Sequence, residues 1–117
     1  MSAITIYHNP RCSKSRQTLQ LLQDNNITPT VVEYLKQPLS VVEIEALITK
    51  LGVNCPREMM RVKEADYKEQ ALGNTDVTAQ QLIEAMAQTP KLIERPIVVN
   101  GDKAAIGRPP EQVLDII

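Results

Sequence analysis

Apolar residues fall in two rhythms along the chain, and the switches between them mark its elements. Ile4-Thr5-Ile6-Tyr7 is a short apolar run that reads as a buried strand. From Ser13 to Asn25 the spacing turns helical, with Leu19 and Leu22 on one face and Leu21 beside them, and Asn25-Asn26 ends it. Thr30-Val31-Val32-Glu33-Tyr34-Leu35 is rich in β-branched residues and reads as a second strand. Two strands joined by a helix of this length form a βαβ unit, whose strands are parallel and whose crossover is right-handed.

Pro38-Leu39 breaks this pattern and a helical block follows. Ser40 and Glu43 have the spacing of a capping box, in which each side chain satisfies the other residue's orphan backbone N–H. Val41, Ile44, Leu47, Ile48 and Leu51 then recur at helical spacing until Gly52 closes the segment. Pro56 suits the first position of a short helix carrying Met59 and Met60, and Ala65 to Leu72 reads as a further short polar helix. Thr78 and Gln81 give a second capping box, followed by Ala79, Leu82, Ile83 and Met86 on one face.

After Leu92, the rhythm returns to strands. Ile97-Val98-Val99 and Lys103 to Ile106 flank Asn100-Gly101, a strong hairpin signal because both turn residues tolerate positive φ. Gly107-Arg108-Pro109-Pro110 stops the second strand, and Glu111 to Ile117 reads as a closing helix with Val113, Leu114 and Ile117 inward. The pattern therefore predicts an α/β protein: a mixed four-stranded sheet of βαβ plus ββα in the thioredoxin-like arrangement. The chain reads as a single domain over residues 1–117, with an inserted helical block at about 39–92.

Composition narrows the chemistry. The chain has 117 residues, enough to bury roughly two-thirds of its unfolded surface. Its core must be aliphatic, because it lacks Trp and Phe and holds only three tyrosines. A net charge of −1 provides no global positive field for nucleic acid or an anionic membrane, so any anion site must be a local arginine cluster. Two cysteines and one histidine make neither a disulfide framework nor a zinc site, and no metal or bound cofactor is expected. Met1-Ser2-Ala3 runs straight into a strand with no signal-like segment, and no apolar stretch reaches membrane-span length. The expected setting is the reducing cytoplasm, where a lone cysteine among basic neighbours points to chemistry. The expected oligomeric state is a monomer.

That cysteine is Cys12, in Tyr7-His8-Asn9-Pro10-Arg11-Cys12-Ser13-Lys14-Ser15-Arg16. The pattern puts it at a helix N-terminus, facing unpaired N–H groups and the positive end of the helix dipole. Both favour thiolate over thiol, and Arg11, Lys14, Arg16 and His8 are expected to push the same way. Cys12 is the candidate nucleophile; the plain alternative is a buried, inert cysteine. His8 could act as a base or simply orient the loop. Ser15, in the first helical turn, could donate a hydrogen bond to the Cys12 sulfur.

Arg95 and Arg108 each sit beside a proline at a strand boundary, one before the hairpin and one after it. Guanidinium forks match the oxygens of a carboxylate, phosphate or arsenate, so two at one sheet edge suggest an oxyanion site; two solvated surface arginines are the alternative. Arg61 at the end of the Met59-Met60 helix reads by spacing as a helix C-terminal cation. Cys55 could resolve a disulfide with Cys12, although a passive cysteine at a helix start is the simpler reading. Two familiar motifs are missing: Thr18 stands where a Cys-x5-Arg loop needs arginine, and Ser15 where a Cys-x-x-Cys pair needs its second sulfur.

These stretches resemble the glutaredoxin-coupled arsenate reductase (ArsC) family. The resemblance rests on Ile4 to Pro10 with Cys12, Ser15 and Arg16; on Met59-Met60-Arg61; on Glu94-Arg95-Pro96-Ile97-Val98-Val99; and on Arg108-Pro109 with Val113-Leu114-Asp115-Ile116. It implies a thioredoxin-like fold with a helical insertion, Cys12 as nucleophile, Arg61, Arg95 and Arg108 around the oxyanion, and a cis proline at Pro96. It also implies arsenate or a related oxyanion as substrate, glutathione as co-substrate, glutaredoxin as the partner that removes it, and arsenite as product. Ser13 and Lys14 depart from the small residues usual after the family's nucleophile. Spx-type transcription regulators, which bind RNA polymerase, resemble the same family but use a Cys-x-x-Cys switch that this chain lacks. A general glutathione-dependent oxidoreductase is the third reading.

Overall fold

The computed structural model describes residues 4–107 and 109–117. Strands β1 (Ile4–Tyr7) and β2 (Thr30–Val32) flank helix α1 (Ser13–Asp24) and are parallel. Helices α2 (Val41–Leu51), α3 (Ala65–Glu69) and α4 (Ala79–Gln88) follow, and strands β3 (Ile97–Asn100) and β4 (Lys103–Ile106) come last. β3 pairs antiparallel with both β1 and β4, giving one mixed sheet in the order β2-β1-β3-β4. This is the thioredoxin-like arrangement that the pattern predicts. The chain divides into two compact units: Met1–Gln37 with Arg95–Ile117, and Pro38–Glu94. No helix among the described residues is long and apolar enough to cross a membrane.

The first unit is built on Ile6, Leu22, Val98 and Val113, all fully buried, with Ile4, Leu19, Leu21, Ile27, Ala105 and Ile116 packed around them. Each fully buried side chain of this kind contributes about 1.5–3 kcal/mol. The buried face of α1 is Ser15, Thr18 and Leu22, so only its last member is apolar. The leucine spacing locates this helix correctly but does not reveal that the face nearest its start is polar.

Two expected elements differ here. β2 ends at Val32 instead of reaching Leu35. The Glu33 carbonyl accepts from the backbone N–H groups of Lys36 and Gln37, both at 2.9 Å, so the backbone closes a turn and leaves the ladder. Tyr34 is thereby buried and Leu35 is turned out, 42% exposed. The closing segment is a 3-10 helix over Pro110–Ile116. At three residues per turn, positions three apart share a face. Val113 and Ile116 therefore face the core, while Leu114 and Ile117 are exposed.

The second unit follows its capping signals. Ser40 Oγ accepts from Glu43 N (3.2 Å), and Glu43 Oε1 accepts from Ser40 N (3.1 Å). Thr78 and Gln81 exchange the same pair of bonds at 3.2 and 2.8 Å. Gly52 closes α2 at φ 69°, a left-handed conformation that glycine adopts without steric cost. α2 presents Ile44 and Leu47, and α4 presents Leu82, Ile83, Ala85 and Met86, as the buried faces by which the two helices pack. Ala79, expected on that face, is exposed and Ala85 takes the inward place. α3 is shorter than the Ala65–Leu72 reading, because the chain turns at Ala71 with φ 53°. Met59 and Met60 are buried in this unit, where Glu94 N donates to Met59 O (2.8 Å) and Arg61 N to Leu92 O (2.7 Å).

Candidate active site

The strand register places the candidate chemistry. Val32, Tyr7, Ile97 and Ile106 line up across the four strands. One residue beyond that line come Glu33, His8, Pro96 and Gly107, so the β1–α1 turn and the Arg95-Pro96 approach to β3 share one sheet edge. This edge is the carboxyl end of the parallel pair, where ligands bind in open α/β sheets. His8 N extends the ladder by donating to Val32 O (2.8 Å).

Asn9 organises the turn. Its side-chain Oδ1 accepts from Arg11 N (3.0 Å), and its backbone O accepts from Cys12 N (3.0 Å). Arg16 Nη1 reaches back from α1 to Pro10 O (2.9 Å). Ser15 Oγ accepts from Asn9 N (3.0 Å) and meets His8 Nδ1 at 2.7 Å. Residues 8–11 are thus bonded to the first turn of the helix that follows them. Cys12 caps that helix with extended backbone, φ −93° and ψ 125°, and its carbonyl accepts the first helical bond from Arg16 N (3.0 Å). Cys12 is 9% exposed, and the first turn of α1 contains no acidic residue. The N–H groups of that turn leave positive potential at the sulfur end of the helix.

His8 corrects one expectation. It is buried, and burial pushes its pKa below the usual 6.5; the Glu33 carboxylate works against this and the Arg16 guanidinium works with it. The imidazole is therefore neutral at pH 7 and does not join the cations beside Cys12. The described hydrogen bonds of Ser15 tie it to His8 and Asn9, which makes it a fastening of the turn.

Behind the turn, the Arg95–Pro96 bond is cis. Gly107 N donates to Pro96 O (2.9 Å). A Cβ at Gly107 would stand 2.6 Å from Thr18 Oγ1 and 2.8 Å from Pro96 Cγ, so β4 comes off the sheet in close contact with α1 and Pro96. Thr18 Oγ1 itself donates to Lys14 O (2.8 Å). Arg95 is half-buried, with its Nε and Nη1 atoms below the surface. Arg108 lies outside the described residues. Arg61 belongs to the second unit, where its Nη1 pairs with Glu64 Oε2 at 2.9 Å. Cys55 is in that unit as well, and neither cysteine is in a disulfide. Among the described residues no group of three or more His, Cys, Asp or Glu could hold a metal ion.

Asn9, Thr18 and Gly107 were not identified as site residues by sequence. Asn9 had a signal, an Asn-Pro turn beside the cysteine. Thr18 had a weaker one, a polar residue three positions after Ser15 on a helix whose apolar face begins only at Leu19.

The profile of the ArsC family matches residues 7–116. A Haemophilus influenzae protein named arsenate reductase is 50% identical over 115 residues, covering 98% of this chain and 99% of its own. A protein of Escherichia coli K12 carrying the name uncharacterized protein YfgD is 54% identical over 114 residues, covering 97% and 96%. The solved arsenate reductase from Vibrio cholerae superimposes with a TM-score of 0.98 at 52% identity, over 99% of this chain and 98% of that one.

Proposed function

The chain belongs to the ArsC family, and on that premise we propose that it reduces arsenate to arsenite through Cys12, with electrons from glutathione and glutaredoxin. The observation that carries this reading is the fastened cysteine: a capping residue with no acid in its helix's first turn, on the sheet edge that also bears Arg95-Pro96. Relatives named arsenate reductase support the substrate.

The Cys12 thiolate attacks arsenic in dihydrogen arsenate. One As–O bond breaks, and its oxygen leaves as water after taking up a proton, giving a Cys12–S–arsenate adduct. Arg95 and Arg108 neutralise oxyanion charge that would otherwise repel the thiolate, and they orient arsenic for attack. Guanidinium is charged at any cellular pH, so this assistance does not titrate away. Glutathione's thiol then adds to arsenic and a second water leaves. Glutaredoxin's thiolate attacks the glutathione sulfur, the S–As bond breaks, and its electron pair stays on arsenic, which falls from +5 to +3. Glutaredoxin departs as the mixed disulfide. Water hydrolyses the remaining Cys12–As bond, releasing arsenite and restoring the thiolate. Both reducing thiols come from outside, in keeping with Ser15 at the position where a Cys-x-x-Cys pair has its second sulfur.

The test is arsenate reduction with glutathione and glutaredoxin, comparing the parent with Cys12→Ser, Arg95→Ala and Arg61→Ala. We expect Cys12→Ser to be inactive and Arg95→Ala to lose about a hundredfold, the scale for removing one charge-stabilising donor. Arg61→Ala tests the third arginine of the family resemblance. A folded parent with a reactive Cys12 and no arsenate turnover overturns the reading.

A further inference from the structure

We propose that the cleft between the His8–Arg11 turn and Glu33, Leu35 and Lys36 is where the reducing thiol docks, as a short peptide bearing two carboxylates and one ammonium. This deepens the arsenate-reduction reading and rests on it. The cleft encloses about 250 Å³. One wall is the turn itself, ending at Arg11, the residue before Cys12. Cys12 follows that wall directly in the chain.

Its position suits a second substrate. In the sheet order β2-β1-β3-β4, Glu33 follows β2 on one side of β1, whereas Arg95-Pro96 precedes β3 on the other. An oxyanion held by Arg95 and a thiol held in the cleft would flank the β1–α1 turn without competing for the same cations. A reaction in which a thiol adds to arsenic already bonded to Cys12 and held by arginine requires such a separation.

Its chemistry suits a zwitterionic peptide with a net negative charge. Arg11 and Lys36 offer cations for two carboxylates, and Glu33 offers a carboxylate for an ammonium. Lys36 and Glu33 already meet at 3.5 Å, with their side chains 78% and 39% exposed. Such an exposed pair contributes little, so a ligand can separate the two at small cost. Leu35 supplies apolar surface for the methylene arms of a peptide side chain. It does so because the chain turns at Glu33 and presents Leu35 to the cleft instead of continuing β2.

Lys36→Glu is the informative variant, because its exposure leaves the fold intact and it takes no part in the proposed chemistry. Matched denaturation curves check the fold. With the other substrates saturating, we expect its KM for glutathione to rise about fivefold from reversing one exposed charge, while KM for arsenate and for glutaredoxin hold. An unchanged glutathione KM, or equal rises for all three, overturns the proposal. Binding of the unreactive S-methylglutathione to Cys12→Ser protein, followed by backbone amide shifts, provides a readout independent of arsenate. Shifts centred on Arg11, Leu35 and Lys36, weakened by adding Lys36→Glu, uphold the cleft. Shifts elsewhere, or none at millimolar ligand, overturn it. A parent that binds S-methylglutathione in the cleft and turns over no arsenate would refute the activity reading and leave the docking site standing.

Discussion

Cys12 and Cys55 occupy the same formal position, the residue that caps a helix, and they differ in what surrounds the cap. Cys12 precedes twelve residues of α-helix, and Cys55 precedes the four-residue 3-10 turn Pro56–Met59. Beside Cys55 the Glu58 carboxylate accepts from the N–H groups of Asn54 (2.8 Å) and Cys55 (2.9 Å). Those donors are spent on a side-chain anion, whose charge opposes a second anion on sulfur. Beside Cys12 the first helical turn has no acid, and Arg11, Lys14 and Arg16 are its charged neighbours in sequence. A cysteine at a helix start is therefore not enough. The helix must be long enough to have a dipole, and its first donors must not already hold a carboxylate.

The largest expected effect separates the two cysteines directly. Cys12→Ser should reduce arsenate turnover on the order of a thousandfold or more, as losing a nucleophile does. Cys55→Ser should stay within about twofold of the parent, like most substitutions away from a site. If Cys55→Ser matched Cys12→Ser, the contrast between the caps would fail and Cys55 would be a resolving thiol.

The support behind the Cys12 turn is the next point at which to break it. Gly107→Ala puts a methyl group 2.6 Å from Thr18 Oγ1 and 2.8 Å from Pro96 Cγ, where β4, α1 and Pro96 meet. We expect about 1–3 kcal/mol of destabilisation, the usual cost of overpacking, read as a lower urea midpoint with unchanged slope. A variant as stable as the parent would mean that this junction yields easily and does not hold the turn in place.

How much of this was legible in the sequence depended on whether the signal was local. Capping boxes, the Asn100-Gly101 hairpin and the helix after Pro10 are short-range, and each formed where the residues place it. The end of β2 was not legible, because Val31 to Leu35 have strand-like side chains while the Glu33 carbonyl is taken by a turn. The closing helix was placed correctly but given the wrong period, so Leu114 and Ile117 were turned inward and Ile116 was left out. At the site, Cys12 stood out because its neighbours in sequence are also its neighbours in space. The role of Gly107 was hidden, since the contact that requires glycine comes from Thr18, far away along the chain. The charge of His8 was hidden for the same reason: burial lowers its pKa, and one strand and one loop do not reveal burial.

Reversing the charge beside the favoured cap should have a moderate effect. Lys14→Glu places a carboxylate in the first turn of α1 and makes the Cys12 end resemble the Cys55 end. An interaction of this kind at a helix N-terminus is worth about 0.3–1 kcal/mol. Iodoacetamide should therefore alkylate Cys12 roughly fivefold more slowly at pH 7, with Cys55 unaffected as the internal control. An unchanged rate would show that the backbone donors alone govern the sulfur and that Lys14 is a solvated bystander.

The smallest effect concerns the charge that the Cys12 turn does not carry. His8 has a pKa below 6.5 in the folded protein, chiefly because burial disfavours its cation. The unfolded chain thus binds a proton at higher pH than the folded one. Stability rises with pH wherever the unfolded state holds more protons. The contribution from His8 is then fully present above pH 6.5 and is lost as pH falls through the lowered folded value. It is the only histidine in the chain, so a stability slope just below pH 6.5 can be assigned to it. Urea unfolding between pH 5 and 8 should show that slope in the parent, and His8→Gln should flatten it whatever the variant's absolute stability. Glu33 is the neighbour that raises the His8 pKa, so Glu33→Gln should extend the loss to still lower pH and make it larger. A slope that survives His8→Gln would place the titrating group elsewhere, and burial would no longer account for a neutral imidazole beside the Cys12 turn.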